Sequence, residues 1–201
     1  MASGQVGARR AKPDDHARLA RTLAAAFVDD PAWSWLMPFA DREQRQRLYF
    51  ETELAHQAHR RQVWVAENGA ATAVWAPPGL WRAPLGISIR EAPAMFRVFG
   101  RRLPLAFFWL LRAEHKHPRR PDHWYLQYLG TEPNRQGHGL GSALLRPMLA
   151  LCDRDRTGAY LESSSDRSRA LYERHGFEVV ETFPMPGGGP DIHRMWRDPR
   201  R

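Results

Sequence analysis

The 201-residue sequence has one cysteine, Cys152, so no disulfide can form within the chain. A protein that folds without disulfides is compatible with the reducing cytoplasm, where we expect this one to reside. The N-terminus lacks the apolar core of a secretory signal. The most apolar run, at 103–111, contains a proline and is far shorter than the ~20 residues that cross a bilayer. We therefore interpret this run as a buried or interfacial helix and expect no membrane partner.

Motifs for nucleic acids and metals are also missing. The net charge of +8 would suit a nucleic-acid partner. The basic residues, however, are nearly all arginines scattered along the chain, and there is no zinc finger, RNP motif or basic stripe with interleaved aromatics. His115, His117 and His123 have no Cys, Asp or Glu at a zinc-site spacing. We expect no nucleic-acid partner and no metal, and a positive field that suits a polyanionic ligand.

The length predicts one domain spanning 1–201, and apolar periodicity predicts mixed helices and strands within it. Asn68-Gly69 predicts a hairpin with a type I′ turn. Trp33 and Trp35 follow the first helix in a predicted loop, where they form either a contact between helices or a pocket wall. Predicted strands cover 6–11, 63–66, 71–75, 124–129, 159–162, 177–183 and 192–196. Predicted helices cover 13–29, 42–59, 87–99, 105–114, 168–175 and a segment from 140 onward.

The stretch YLGTEPNRQGHGLGSALLRPML at 128–149 is the most informative. A buried strand passes through a glycine-rich turn into a helix that starts at Leu140. This arrangement directs unpaired amide N–H groups and the positive end of the helix dipole at one spot, where a pyrophosphate can bind. Glycines at 137, 139 and 141 would let the phosphate approach the backbone. The spacing excludes a dinucleotide fingerprint, because Ser142 stands where glycine is needed, and a P-loop, because the segment has no lysine.

Two motifs resemble those of the GNAT family of N-acetyltransferases. Gln136-Gly-His-Gly-Leu-Gly141 is similar to motif A of that family, Q/R-x-x-G-x-G/A, and Ala170-Leu-Tyr-Glu-Arg-His-Gly-Phe177 to motif B. The resemblance implies an α/β (α+β) fold with a mixed, mostly antiparallel central sheet, helices on both faces, and fourth and fifth strands that splay apart. Gly130, in strand-like sequence next to the predicted fourth strand, is compatible with a bulge that starts this splay.

The resemblance also implies acetyl-coenzyme A as co-substrate. The amides of the glycine turn would hold its pyrophosphate and the backbone of the fourth strand its pantetheine arm. Ser168 stands where the family often has an asparagine that contacts coenzyme A. The implied contacts are Leu129, Gly130, Thr131, Gln136, Gly137, His138, Gly139, Leu140, Gly141, Ser142, Ser168 and Tyr172.

The implied reaction is direct acetyl transfer to a primary amine. Tyr172 takes the position of the family's general acid, although it could also be an ordinary aromatic on a buried helix face. Glu162 is the first candidate for the base. A water chain that drains to bulk solvent is the competing account, in which Glu162 only caps the next helix.

The acceptor is predicted to be a small molecule, either antibiotic-like or aromatic, contacted by Phe27, Trp33, Trp35 and Tyr128. Most of the chain resembles puromycin N-acetyltransferases and their actinobacterial relatives within the family, but this similarity stops over 83–118, where such enzymes often shape the acceptor site. Acetylation of a protein or peptide amine, and an inactive sensor that only binds acetyl-coenzyme A, stay open as alternatives. Either a monomer or a homodimer is compatible with the sequence.

Overall fold

The computed structural model describes residues 7–82 and 85–200, so Val6 of the predicted first strand lies outside the described residues. Seven strands of this part form one sheet in the order β1-β2-β3-β4-β5-β7-β6. The strands are β1 Ala8–Arg10, β2 Gln62–Ala66, β3 Ala71–Ala76, β4 His123–Thr131, β5 Gly158–Ser163, β6 Glu178–Pro184 and β7 Asp191–Arg197. The helices are α1 His16–Phe27, α2 Pro31–Leu36, α3 Arg42–Gln57, α4 Leu85–Phe99, α5 Leu103–Lys116, α6 Leu140–Arg154 and α7 Asp166–Arg174. None of the described helices could span a membrane.

All neighbouring strands pair antiparallel except β4 and β5, which are parallel. Strand alternation sends side chains to both faces of this sheet. Val63, Val65 and Val74 pack with α1 and α3 on one face. Leu140, Leu144 and Met148 recur at helical spacing on α6 and pack against the other face. The predicted fold class, a mixed sheet with helices on both sides, is confirmed.

The pairing of β4 with β5 ends early. The last paired residues are Leu126 and Leu161, although β4 continues to Thr131. Opposite β3 the register shifts so that Val74 pairs with Tyr128 and Trp75 with Leu126, which leaves Gln127 as the extra residue of a β-bulge. The bulge increases the local twist of β4 where β5 leaves it. The two strands therefore part beyond Leu126, as the predicted splay requires.

The bulge is not at Gly130, as the sequence had suggested. Gly130 pairs in register with Thr72. A Cβ at this position would lie 3.0 Å from both the Cβ of Ala26 and Cδ2 of Leu23. Glycine is used here because α1 lies directly on β4, which is a packing reason rather than a pairing one.

Two local predictions were wrong in detail. The hairpin between β2 and β3 exists, but its last pair is Ala66 with Ala71, so the connection has four residues rather than a type I′ pair. Its residues Glu67, Asn68 and Gly69 all have positive φ. The predicted loop after α1 is the short helix α2. The side chain of Asp30 caps α2 by accepting hydrogen bonds from the amides of Ala32 and Trp33.

Arg197 links β7 to both helices on the α6 face. Its guanidinium donates to both carboxylate oxygens of Asp153 on α6 (2.8 Å each) and to the carbonyl of His175 after α7 (3.0 Å). The Arg197 side chain is only 3% exposed. These bonds hold the pKa of Asp153 below its usual range.

We predict that Arg197→Met lowers the free energy of unfolding at neutral pH by about 2–4 kcal/mol, because three charge-assisted hydrogen bonds disappear from a buried position. Arg154→Met is the matched control and should change nothing, since Arg154 pairs with Asp155 on the surface. Urea unfolding measures both.

The pH dependence has a definite sign. The folded-state pKa of Asp153 is depressed, so its contribution is present above the unfolded pKa and disappears as pH falls through the folded pKa. The stability difference between wild type and Arg197→Met should therefore shrink in acid. Equal losses in the two variants, or a gap that does not change with pH, would contradict this role.

Candidate active site

The turn before α6 presents a row of unpaired amides. Within the described residues, no acceptor pairs with the backbone N–H groups of residues 137–142, and the first bond of the helix runs from the Ala143 amide to the Gly139 carbonyl (3.0 Å). Gly137 and Gly139 have φ of 83° and 78°, and a Cβ on either would meet nothing within 4 Å. The turn is therefore open to a ligand. Its N–H groups and the dipole of the 15-residue helix suit an anion.

Gly141 has a different reason to be glycine. A Cβ there would lie 3.0 Å from Cδ2 of Leu171 on α7. The absent side chain lets α7 pack closely on the start of α6. Gly141 is therefore glycine for a packing reason, whereas the space beside Gly137 and Gly139 is open.

The polar side chains around the turn bind one another and the protein backbone. Gln136 Nε2 donates to the Thr131 carbonyl (3.2 Å), and Ser142 Oγ lies 2.9 Å from His175 Nε2. His138 is exposed, with Nδ1 3.0 Å from the Gln136 carbonyl oxygen. The Ser168 hydroxyl lies 2.8 Å from that of Ser163 and 2.7 Å from that of Ser165. The backbone amides are thus the groups left to bind a ligand.

The edge of β4 beyond the bulge also offers backbone groups. The Glu132 amide donates to the Ala70 carbonyl, next to β3 (2.9 Å). Successive residues of an antiparallel strand direct their N–H and C=O groups alternately toward and away from the neighbour. Gly130 therefore faces β3, whereas Leu129 and Thr131 direct theirs into the gap between β4 and β5.

The gap is accessible from the α1 and α3 face. Every side chain of β3 is buried, yet on the adjacent central strand Tyr125, Gln127 and Tyr128 are partly exposed, and so is Glu162 at the end of β5. Partly exposed side chains in the middle of a sheet covered by helices outline a cleft. The glycine turn follows the end of β4 in the chain, so β4 connects this cleft to the turn.

Glu162 sits on this cleft with two hydroxyl donors. Tyr125 donates to Oε2 (2.7 Å) and Tyr160 to Oε1 (2.9 Å). Burial raises the pKa of the carboxyl, while the two hydroxyl bonds and Arg194 oppose that shift. A carboxylate whose pKa is raised is a better proton acceptor than an ordinary one. The interpretation of Glu162 as a helix cap was wrong, because the cap of α7 is Ser165, whose hydroxyl accepts from the Ser168 amide.

Tyr172 on α7 lies on the opposite face of the sheet, in the core cluster that includes Leu126 of β4 and Leu161 of β5. It is 7% exposed and packs edge-to-face on Phe177 at 6.0 Å. Burial, and next the Asp30 carboxyl, raise the pKa of the phenol well above its ordinary value. The raised pKa keeps the phenol protonated. The hydroxyl has no hydrogen-bond partner within the described chain, so it is free to donate.

Asp30 was missed by the sequence analysis. Besides capping α2, its carboxylate accepts a hydrogen bond from the hydroxyl of Ser164 in the β5–α7 loop. Burial raises the pKa of Asp30. The bond joins the α1–α2 connection to the loop that precedes the Tyr172 helix. The dipeptide Asp-Pro at a helix start was the available signal.

The predicted acceptor contacts separate into two places. Trp33 lies in a cluster with Phe27, Tyr49, Phe50 and Tyr128, with ring centroids 4.9 Å apart for Trp33 and Tyr49. The Tyr49 and Tyr128 hydroxyls are 2.7 Å apart. Trp35 packs elsewhere: its Nε1 donates to the Pro186 carbonyl in the β6–β7 turn (3.2 Å). The structure brings Phe27, Trp33 and Tyr128 together and places Trp35 apart from them.

A buried acid under this aromatic cluster was also missed. Gln127 Nε2 donates to Oε1 of Glu53 on α3 (3.0 Å), and Arg61 Nε donates to Gln127 Oε1 (2.9 Å). Burial first, and then the nearby Glu91 carboxyl, raise the pKa of Glu53 to about 7. The signal was present in the sequence, because Glu53 shares the buried face of α3 with Phe50 and Leu54.

Two histidines highlighted in the sequence form a buried pair. His117 and His123 have their Nε2 atoms 3.0 Å apart, and Trp81 stacks on His117 at 3.8 Å. Burial lowers the pKa of both rings. In the described part of the chain, no three His, Cys, Asp or Glu side chains are grouped so that they could hold a metal.

Comparison with known proteins gives a consistent result. The model of the acetyltransferase (GNAT) family matches residues 25–177. An uncharacterized N-acetyltransferase of Schizosaccharomyces pombe is 30% identical over 194 positions, covering 89% of this chain and 76% of that protein. A mycothiol acetyltransferase of Beutenbergia cavernae is 28% identical, covering 90% of this chain and 60% of its own. A crystal structure described as histone acetyltransferase HPA2 and related acetyltransferase, from Corynebacterium glutamicum, has a TM-score of 0.76 and 26% identity over 98% of both chains.

Proposed function

The chain belongs to the acetyltransferase (GNAT) family and is an N-acetyltransferase, and we propose that it moves the acetyl group of acetyl-coenzyme A to a primary amine of a small molecule. The choice of acetyl-coenzyme A as donor rests on the row of unpaired amides at 137–142, which follows the parted strand β4 in the chain. Acetyl-coenzyme A combines a pyrophosphate with a slender amide-bearing arm. These two parts match the two kinds of backbone donor that the site provides.

In this proposal each part of the donor has its own contacts. The amides of the glycine turn, from Gly137 to Ser142, hold the pyrophosphate. The backbone groups of Leu129 and Thr131 that face the gap hydrogen-bond the pantetheine. The co-substrate supplies an acetyl group activated as a thioester, so the protein needs to bind, orient and manage protons. Gln136 contributes by holding the Thr131 carbonyl in place.

Two side chains manage the protons. An amine attacks only when it is unprotonated, and Glu162 can take its proton directly or through a water molecule, since the carboxylate lies on the cleft. The departing thiolate benefits from a proton, which Tyr172 can donate because its raised pKa keeps the phenol protonated. The acid and the base thus approach from opposite faces of the sheet and do not neutralise each other.

The acceptor site is proposed on the aromatic cluster of Phe27, Trp33 and Tyr128. Flat apolar rings favour an aromatic or otherwise flat amine. Glu53, bonded to Gln127 beside Tyr128, and Glu162, bonded to Tyr125 on the same strand, add two carboxyl groups, which suits an amine that arrives as a cation. A panel of aromatic amines, polyamines and a peptide with a free N-terminus, assayed by thiol release, tests this choice. Turnover of aromatic amines is expected; turnover of the peptide alone would assign the acceptor to proteins, and tight coenzyme binding without any turnover would indicate a sensor.

The first prediction concerns the donor. Gly139→Val should raise the KM for acetyl-coenzyme A by about tenfold or more, ~1.4 kcal/mol, because a branched side chain then occupies the open side of the turn. Gly79→Val is the matched control: Gly79 has a similar φ of 72°, and a Cβ there also meets nothing within 4 Å. Both variants should lose similar stability from backbone strain, and only Gly139→Val should lose donor affinity. Normal donor binding by a folded Gly139→Val would remove the phosphate role of the turn.

The second prediction separates the two tryptophans of α2. Trp33→Leu should raise the KM for the acceptor by about tenfold and leave the KM for acetyl-coenzyme A unchanged, because it removes one wall of the aromatic cluster. Trp35→Leu should instead lower the melting temperature, since Trp35 holds the turn at 186–190. If Trp33→Leu weakens both substrates equally, Trp33 belongs to the core and not to the acceptor site.

The third prediction concerns Tyr172. Tyr172→Phe keeps the ring and its contact with Phe177, so folding should be unaffected. The hydroxyl acts only as the thiolate leaves, so kcat should fall by ~10² with little change in either KM. Because the pKa of Tyr172 is raised, wild-type activity should show no alkaline loss from this group below a pH of about 10. With an acyl donor whose thiol is more acidic, the fall in kcat caused by Tyr172→Phe should be smaller. If Tyr172→Phe keeps the wild-type kcat with both donors, Tyr172 is only a packing residue.

A further inference from the structure

Most of the net charge and most of the large exposed apolar side chains of the described residues lie in one segment. Residues 82–120 contain nine arginines and lysines against two glutamates, so they contribute +7 of the chain's net +8. The remaining residues together carry a net charge of only +1, so most of the excess charge lies in this segment. This segment contains α4 and α5.

Helix α4 exposes an apolar row beside a basic row. Ile89 and Phe96 lie seven residues apart, hence on the same side of the helix, and are 66% and 65% exposed. Arg90 and Arg97 follow them one position later along the chain and form the adjoining row. Both arginines are exposed, and neither has a carboxylate partner among the described residues.

Helix α5 contacts α4 and also exposes apolar side chains. Phe107, Phe108, Leu110 and Leu111 are 48–57% exposed, whereas Ala106 and Trp109 pack on the opposite side against the core. Helix α5 thus already packs on the core through its other side, and the four exposed residues form a separate apolar side of the helix. Arg101 precedes this helix and Arg119 and Arg120 follow it, all exposed. We call Ile89, Phe96 and these four residues of α5 the apolar face.

We propose that the apolar face docks on an anionic lipid surface, with its aromatic and leucine side chains inserted among the acyl chains and the flanking arginines at the headgroups. A soluble monomer rarely exposes so many large apolar residues together. A helix with Phe and Leu on one side and arginines beside them is typical of the membrane interface. The long arginine stems let the charges reach the headgroups while the rings insert.

The charge argues against a second copy of the chain on this face. A symmetric dimer would bring each arginine toward the arginines of its partner, and the face holds no exposed unpaired carboxylate to compensate. The expectation of no membrane partner had considered a spanning helix, which is a different requirement from interfacial binding. The proposal is independent of the acetyl transfer, since binding can be measured without turnover.

Vesicle co-sedimentation tests the proposal with the full chain. Binding is expected to phosphatidylcholine vesicles that contain about 30% phosphatidylglycerol, and to be about tenfold weaker or absent with phosphatidylcholine alone. Raising the salt from about 0.1 M to about 0.5 M should also weaken it several-fold. Equal binding to both vesicle types, or binding to neither, would overturn the proposal.

Paired variants locate the contact. Phe107→Ser with Phe108→Ser should abolish binding, whereas Val179→Ser with Val180→Ser, an exposed apolar pair on β6, should leave it intact. Arg90→Gln with Arg97→Gln should weaken binding about tenfold, and Arg21→Gln with Arg156→Gln should not. Circular dichroism confirms that each variant is folded. The proposal is overturned if the phenylalanine and valine variants bind vesicles equally, or if the two arginine variants do. It is also overturned if the protein forms a concentration-dependent dimer that the Phe107 and Phe108 substitutions dissociate.

Discussion

Hydrogen bonding between β4 and β5 ends at Leu126 and Leu161, because the bulge at Gln127 turns β4 away from its parallel neighbour. The proposed site depends on this parting. It leaves Leu129 and Thr131, which pair with β3, without a strand on the side of β5, and it opens the cleft on which Glu162 lies. Without the gap, the unpaired amides at 137–142 would face a continuous sheet. The proposed acid Tyr172 and the proposed base Glu162, which lie on its two faces, could not then reach the same reacting atoms.

The sequence predicted well those features that depend on local chemistry. The strand, turn and helix around 124–154 follow from apolar periodicity and three glycines, and the α2 cap at Asp30 could have been found in the same way. It could not predict whether Gly130 or Gln127 forms the bulge, because that depends on the register between β4 and β3 and not on the residues of β4 alone. Likewise Gly141 reads as a phosphate glycine until Leu171 of α7 is placed beside it.

Contacts between distant segments account for the remaining surprises. Trp33 and Trp35 are two residues apart in sequence, yet one joins the aromatic cluster and the other holds the β6–β7 turn. The bond between Ser164 and Asp30 joins residues far apart in the chain, and the buried Glu53 acquires its raised pKa only from tertiary surroundings. The side chains of the proposed acceptor site thus come together only in the fold, whereas the proposed donor site is largely local in sequence and therefore easier to recognise.

The central claim is that the backbone amides of the glycine turn bind the pyrophosphate of the donor. Amide hydrogen exchange, followed by NMR with and without coenzyme A, measures those amides directly. We expect coenzyme A to slow hydrogen exchange of the backbone amides at residues 137–142 and at Leu129 and Thr131, with little change in α4 and α5. Unchanged exchange at 137–142 in a sample that has bound coenzyme A, or protection confined to another part of the chain, would contradict it.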